Sequence, residues 1–154
     1  MGGRPVARAH QGRAGVGELV SGFRARDARV FRPYPDEVPW DLLERVALDG
    51  RALREALELN LLRVAKYEDR VIGAYGIRPL EPTVYELVGL VVAEGYRRKG
   101  LGSWLLGHAI GLAESRGARE ILVRGAAQPA RGAFLASAGF IDAGGELRLT
   151  LMPE

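Results

Sequence analysis

The chain has 154 residues, close to half of them apolar, no cysteine, and a formal net charge of +3 at pH 7. That length fits one domain with a real core, and the missing cysteine rules out disulfides, thiolate nucleophiles and cysteine-based metal sites. No apolar run approaches the roughly eighteen residues of a membrane span, and the opening Met-Gly-Gly-Arg-Pro-Val-Ala-Arg-Ala-His has no apolar stretch before a cleavage site, so no secretory signal is expected.

The charge is unevenly spread. Six arginines against Glu18 and Asp27 fall in residues 1–29, while the rest of the chain holds sixteen basic and seventeen acidic side chains. The body is therefore nearly neutral, without a basic face carrying base-reading groups, and no nucleic-acid partner is expected. Only His10 and His108 supply imidazole, far apart in sequence, so no metal site is expected either. With no span, no signal and no cysteine, the expected location is cytoplasmic.

Residues 1–27 are rich in Gly, Ala and Arg with little periodicity, the pattern of a flexible extension ahead of a domain at 28–154. Ala28–Arg32 reads as a short strand ended by Pro33 and Pro35. A helix is expected from Pro39 through Trp40, Leu42, Leu43, Val46 and Ala47 to Gly50, and a second over Arg51–Leu59 with Leu53, Ala56 and Leu57 on one face. The period then changes to two. Leu62 and Val64 alternate with Arg63 and Lys66, Glu68-Asp69 reads as a tight turn, and Arg70–Arg78 returns as the second arm of a hairpin. Pro79 and Pro82 bracket an expected loop before a long apolar strand, Tyr85–Val92. Helix Gly102–Arg116, strand Glu120–Arg124, helix Pro129–Ala138 and a hairpin of Phe140–Ala143 with Glu146–Met152 complete the order. The class is α/β: a mixed central sheet flanked by helices on both faces, in the order β-α-α-β-β-β-α-β-α-β-β.

Function concentrates between residues 85 and 105. A buried strand there meets a turn with Arg97, Arg98 and Lys99 beside Gly100 and Gly102, and a helix follows. Small residues let a ligand approach the main chain, and the first amides of a helix have no partner within it. Dipole and cations together favour a phosphate or pyrophosphate. A Walker loop is excluded because Lys99 precedes the glycine, and the dinucleotide fingerprint fails because Leu105 stands where a small residue is needed.

Arg97-Arg98-Lys99-Gly100-Leu101-Gly102 meets the acetyl-CoA motif Arg/Gln-x-x-Gly-x-Gly/Ala, and the chain resembles the GNAT N-acetyltransferase superfamily over about residues 28–154. The resemblance implies the GNAT fold and an acetyl-CoA-dependent transfer of an acetyl group to a primary amine. With no cysteine to carry the acetyl group, attack would be direct, in a ternary complex. It implies that the loop amides of Arg97, Arg98, Lys99, Gly100, Leu101, Gly102 and Ser103 hold the pyrophosphate of coenzyme A. The cofactor arm would pair with the main chain of Leu90, Val91 and Val92, with Val92 the candidate oxyanion donor and Gln128 a further contact.

At pH 7 only about one alkylamine in two to three thousand is neutral, a deficit of roughly 4–5 kcal/mol, so a base is wanted. Glu86 lies eleven residues before Arg97, the offset of the general-base glutamate in the histone-acetyltransferase branch of the superfamily. Alternation puts it on one face with Val88, Leu90 and Val92; a solvated strand end is the other reading of the same residue. In the closing segment 127–140, which resembles the motif Asn/Gln…Phe-Tyr-x-x-x-Gly-Phe, Leu135 replaces the tyrosine that commonly protonates the leaving thiolate. Three readings follow: an unassisted thiolate, a substitute among Tyr75, Tyr85 and Tyr96, or no catalysis, as in an acyl-CoA-binding sensor or interaction module. The resemblance implies an acceptor wall from Tyr34, Asp36, Glu37 and Trp40 and the region near Asp142–Glu146, with acids that suit a cationic amine but equally suit a helix N-terminus. The expected partner is a small-molecule or peptide amine, and the chain a monomer or homodimer.

Overall fold

A computed structural model describes residues 22–46, 49–124 and 129–151. The sheet has seven strands: β1 (Arg29–Phe31), β2 (Leu62–Tyr67), β3 (Arg70–Glu81), β4 (Val84–Val92), β5 (Glu120–Arg124), β6 (Ile141–Ala143) and β7 (Glu146–Thr150). The helices are α1 (Trp40–Glu44), α2 (Gly50–Glu58), α3 (Leu101–Ser115) and α4 (Pro129–Ser137), with short 3-10 turns at Ala25–Asp27, Pro35–Glu37 and Glu94–Tyr96. Strand order is β1-β2-β3-β4-β5-β7-β6. Only β4 and β5 run parallel, with a helix connecting them; every other pair is antiparallel, β2–β3, β3–β4 and β6–β7 as hairpins and β1–β2 and β5–β7 across intervening elements. The chain therefore has the α/β fold expected from its sequence, with helices on both faces.

Two apolar layers hold the helices to the sheet. Leu43 of α1 and Leu53 and Ala56 of α2 pack with Leu62, Val64, Ala74, Val88 and Val91 on one face. Leu101, Leu105 and Ala109 of α3 and Leu135 of α4 pack with Tyr75, Ile77, Leu87 and Ile121 on the other. At Gly73 an added Cβ would stand 2.9 Å from Leu105 Cδ1 and 3.0 Å from the Val91 carbonyl, so the bare backbone lets α3 lie close on β3. No helix among the described residues is long and apolar enough to cross a membrane.

Three expectations change. Residues 22–27 were expected in the extension, yet Phe23 is 1% exposed and its ring meets Tyr67 and Tyr96 edge-on at 4.9 and 5.0 Å. A single aromatic burying its whole ring outweighs the Gly/Ala/Arg bias around it. The supposed loop at Pro79 is strand: β3 continues to Glu81, because Pro79 lies past the end of β2 and no ladder there needs its missing N–H. The third concerns the faces of β4. Gly76 pairs with Gly89 but Ile77 with Leu87, leaving Val88 as an extra residue. This bulge resets the alternation. Glu86 and Val88 share the α1/α2 face with Val91, while Leu90 and Val92 turn to the α3 face.

Candidate functional site

The parallel seam between β4 and β5 is three residue pairs long: Val84 with Glu120, Tyr85 with Ile121 and Glu86 with Leu122. Beyond it β5 stays with β7 through Val123 and Arg124, and β4 stays with β3. The two halves of the sheet part, and among the described residues β4 from Leu87 onward has no strand neighbour on that side. The Ala93 amide donates to the Ile72 carbonyl at 2.7 Å. Alternation along the ladder then turns the main-chain groups of Val91 toward β3 and those of Leu90 and Val92 into the gap. Val91, expected with Leu90 and Val92 to pair with a ligand arm, thus has its main chain occupied.

The gap is a cleft of about 520 Å³, lined among others by Leu90, Val92, Arg97, Arg98, Gly100, Gly102 and Ser103. At its end the backbone turns left-handed twice, with φ of +63° at Arg98 and +84° at Gly100. Gly100 caps α3, and the first amide to find an acceptor is that of Trp104, bonded to the Gly100 carbonyl at 3.0 Å. The amides of Arg98, Lys99, Gly100, Leu101, Gly102 and Ser103 have no acceptor among the described residues. Free amides at a helix N-terminus, four of them on residues that line the cleft, are groups of the kind that bind an anion. Lys99 and Leu101, expected to help hold a ligand, do not line the cleft, and the Leu101 side chain is core. Arg97 folds back, its Nε donating to the Val92 carbonyl at 3.1 Å. Gln128 lies outside the described residues.

The sequence pattern of the Acetyltransferase (GNAT) family matches residues 22–140. The chain belongs to the GNAT acetyltransferase family. Among solved structures, a GNAT family acetyltransferase from Elizabethkingia anophelis with acetyl-CoA bound superposes with a TM-score of 0.67 at 20% identity, covering 81% of this chain and 99% of that one. N-acetylglutamate synthase from Neisseria gonorrhoeae, complexed with coenzyme A and N-acetyl-glutamate, gives 0.68 at 16% identity over 82% of this chain and 35% of that one. Naa50 from Arabidopsis thaliana, in complex with a bisubstrate analogue, gives 0.64 at 16% identity over 81% and 99%. At these identities the likeness is one of fold. Among curated proteins no sequence is similar enough to count as a relative.

In this GNAT chain a second, smaller cavity of about 160 Å³ adjoins the cleft, sharing Val46, Leu87 and Arg131 with it. Its wall includes Asp49, Arg78, Glu86, Arg124 and Arg131. Glu86, expected as a general base, is 7% exposed and gripped by two guanidiniums. Arg124 donates from Nε at 3.1 Å and from Nη2 at 2.9 Å, one bond to each oxygen, and Arg78 Nε adds a third at 2.9 Å. Arg78 also reaches Glu55 through Nη1 at 3.0 Å. The bonds to Glu86 hold Arg124 above its ordinary pKa. Three charge-assisted bonds leave both Glu86 oxygens facing guanidiniums. The reason lies in the sheet: Arg78 is the direct cross-strand partner of Glu86 in β3, and Arg124 ends β5 just past the seam.

The expected acceptor wall is elsewhere. None of Tyr34, Asp36, Glu37 and Trp40 lines either cavity. Tyr34 is 71% exposed, Glu37 is paired with Lys66, and Trp40 packs on the α1/α2 layer with Arg54 over its ring at 5.1 Å. These residues serve a helix start, where acids are favoured anyway. No tyrosine lines the cleft among the described residues. Tyr75 is fully buried, burial holds its hydroxyl well above the usual range, and it meets His108 Nδ1 at 2.7 Å. Leu135, at the usual tyrosine position, lines the cleft as a buried apolar residue.

Sequence reasoning missed Arg78, Arg124 and Arg131. Arginines at the end of apolar strand runs, and inside the closing motif, were the available signal.

Proposed function

We propose that this chain binds acetyl-CoA along the opened edge of β4 and transfers its acetyl group to an amine held in the adjoining cavity. One observation carries the reading: the gap between β4 and β5 reaches the turn at Arg98, Gly100, Gly102 and Ser103, whose amides have no acceptor among the described residues. The amides of Arg98 through Ser103 suit a pyrophosphate, with Arg97 and Arg98 adding charge. The main-chain groups of Leu90 and the Val92 N–H, which face the gap, suit an amide-bearing arm laid as an extra strand, while the Val92 carbonyl already accepts from Arg97. The bound cofactor supplies an activated acetyl group as a thioester.

The chain's own part is donation, orientation and exclusion of water. The Val92 N–H, facing the gap from a rigid strand, is the candidate donor to an oxyanion, and losing one such donor costs on the order of a hundredfold in rate. Leu135, Phe134 and Leu87 keep that end of the cleft apolar. Glu86, with both oxygens bonded to guanidiniums, orients Arg78 and Arg124.

Titration calorimetry with acetyl-CoA tests binding, and release of free thiol in the presence of an amine panel tests transfer. No heat with ligand in large excess ends the reading. A second reading, an acyl-CoA-binding module without catalysis, is favoured by Leu135 and by the lack of a cleft tyrosine among the described residues. Heat on binding without thiol release from any amine would establish that one instead.

A further inference from the structure

Arg131, like the more buried Arg63 and Arg70, has no carboxylate partner among the described residues, and of the three it alone lines the two cavities. It stands in α4, lines both cavities, and so marks the junction where an acyl end and an acceptor would meet. Its one hydrogen bond runs from Nη1 to the Val46 carbonyl at 2.7 Å. No carboxylate among the described residues pairs with it. Glu86 is committed to Arg78 and Arg124 and Glu55 to Arg78, while Asp49, on the wall of the same small cavity, accepts the Arg51 amide through Oδ1 and has no cation paired with it among the described residues. Burial works against the charged form, pulling the Arg131 pKa below its ordinary value. A guanidinium carries five N–H donors in a planar fork and stays charged in proteins. A half-buried fork on the wall of both cavities, with donors beyond the Val46 bond, is placed to meet an anion that enters them.

We propose that the acceptor is a carboxylate-bearing amine, its carboxylate held by Arg131 at the mouth of the small cavity and its amine directed to the gap at Leu90 and Val92. This rests on the acetyl-transfer reading above and adds the substrate class to it. The cavity's size suits an amino-acid-like molecule better than a peptide chain. Glu86 contributes by keeping Arg78 and Arg124 from competing for the same carboxylate, because both forks already face its two oxygens.

The test first titrates the protein with acetyl-CoA, then offers the common amino acids and, separately, their carboxamides. Expected are acetyl-CoA binding, acetylated product from one or more amino acids, and a KM about tenfold to a hundredfold higher for the matching carboxamide, since a site built around a charged group rejects the analogue that lacks it. The same amino acid should raise the melting temperature of the CoA-bound protein, and its carboxamide should not. In Arg131→Met the two acceptors should converge in KM while acetyl-CoA affinity holds; Arg131→Lys should restore part of the preference. Turnover of carboxylate and carboxamide alike, or product from neither, overturns the assignment while acetyl-CoA binding stands. So does an Arg131→Met variant that loses acetyl-CoA affinity, which would give the fork to the cofactor. Failure of the wild-type protein to bind acetyl-CoA overturns both readings.

Discussion

Glu86 and His108 illustrate how neighbours decide what a side chain can do. A glutamate eleven residues before the loop is visible in the sequence, but the arginines that meet it come from β3 and from β5, eight and thirty-eight residues away. Glu86→Gln should therefore act first on stability. Its side chain is 10% exposed, and removing it strands two guanidiniums. Because Arg124 is well exposed, the cost should be about 2 kcal/mol, a fall of roughly 4–8 °C in melting temperature for a domain this size. A variant that melts like the wild type yet loses turnover would return Glu86 to the role of base. His108 is held below its ordinary pKa by burial and by the Arg63 charge, and the Tyr75 hydroxyl beside Nδ1 suits the neutral ring. The unfolded chain then takes up the proton more readily. Stability contributed by His108 is full above about pH 6.5 and drains away as the pH falls through the lowered folded value. Urea unfolding from pH 7.5 to 5 should show a shallower loss in His108→Gln than in the wild type.

At the level of strands and helices, the elements were legible and register was not. Hydrophobic periodicity located all seven strands and four helices, because each element buries one side. The first helix, however, expected to run from Pro39 to Gly50, ends at Glu44, and Gly50 begins the next. The bulge at Val88 left no mark, since Val-Gly-Leu-Val-Val is apolar on both faces and either register would satisfy the cores. That single insertion decides which β4 amides reach the cleft, so Leu90 and Val92 were separable from Val91 only in three dimensions. Paired substitutions check the assignment. Val91→Pro removes an amide that bonds to β3 and should cost about 3 kcal/mol or unfold the protein. Val92→Pro removes one that faces the gap, should cost far less, and should depress acetyl transfer by on the order of a hundredfold. Equal destabilisation by the two would refute the register. The loop is the opposite case: its glycines were readable because only the backbone matters there. Gly100→Ala finds no atom nearer than Ala25 Cβ at 4.0 Å, yet at φ +84° should lose about 1 kcal/mol from conformation alone. Chemical denaturation measures it.

For the molecule as a whole, composition identified the class and the near-neutral body, whereas the internal charge pattern was hidden. Arg78, Arg124 and Arg131 come from three elements and converge only after the sheet is assembled, so no spacing rule could gather them. Phe23 makes a related point, since its partners Tyr67 and Tyr96 lie far along the chain. Phe23→Ala should cost about 3 kcal/mol, read as a lower melting temperature with the fold kept. The short seam between β4 and β5 has a mechanical consequence. One sub-sheet comprises β1 to β4 and the other β5, β7 and β6, and they are stitched together at one end, like tongs joined near the pivot. Whatever fills the jaws supplies the missing rungs and splints the two arms into a single unit. Occupancy should then slow hydrogen exchange in β5 and β7, on the arm that carries no phosphate loop, as clearly as it does in β4.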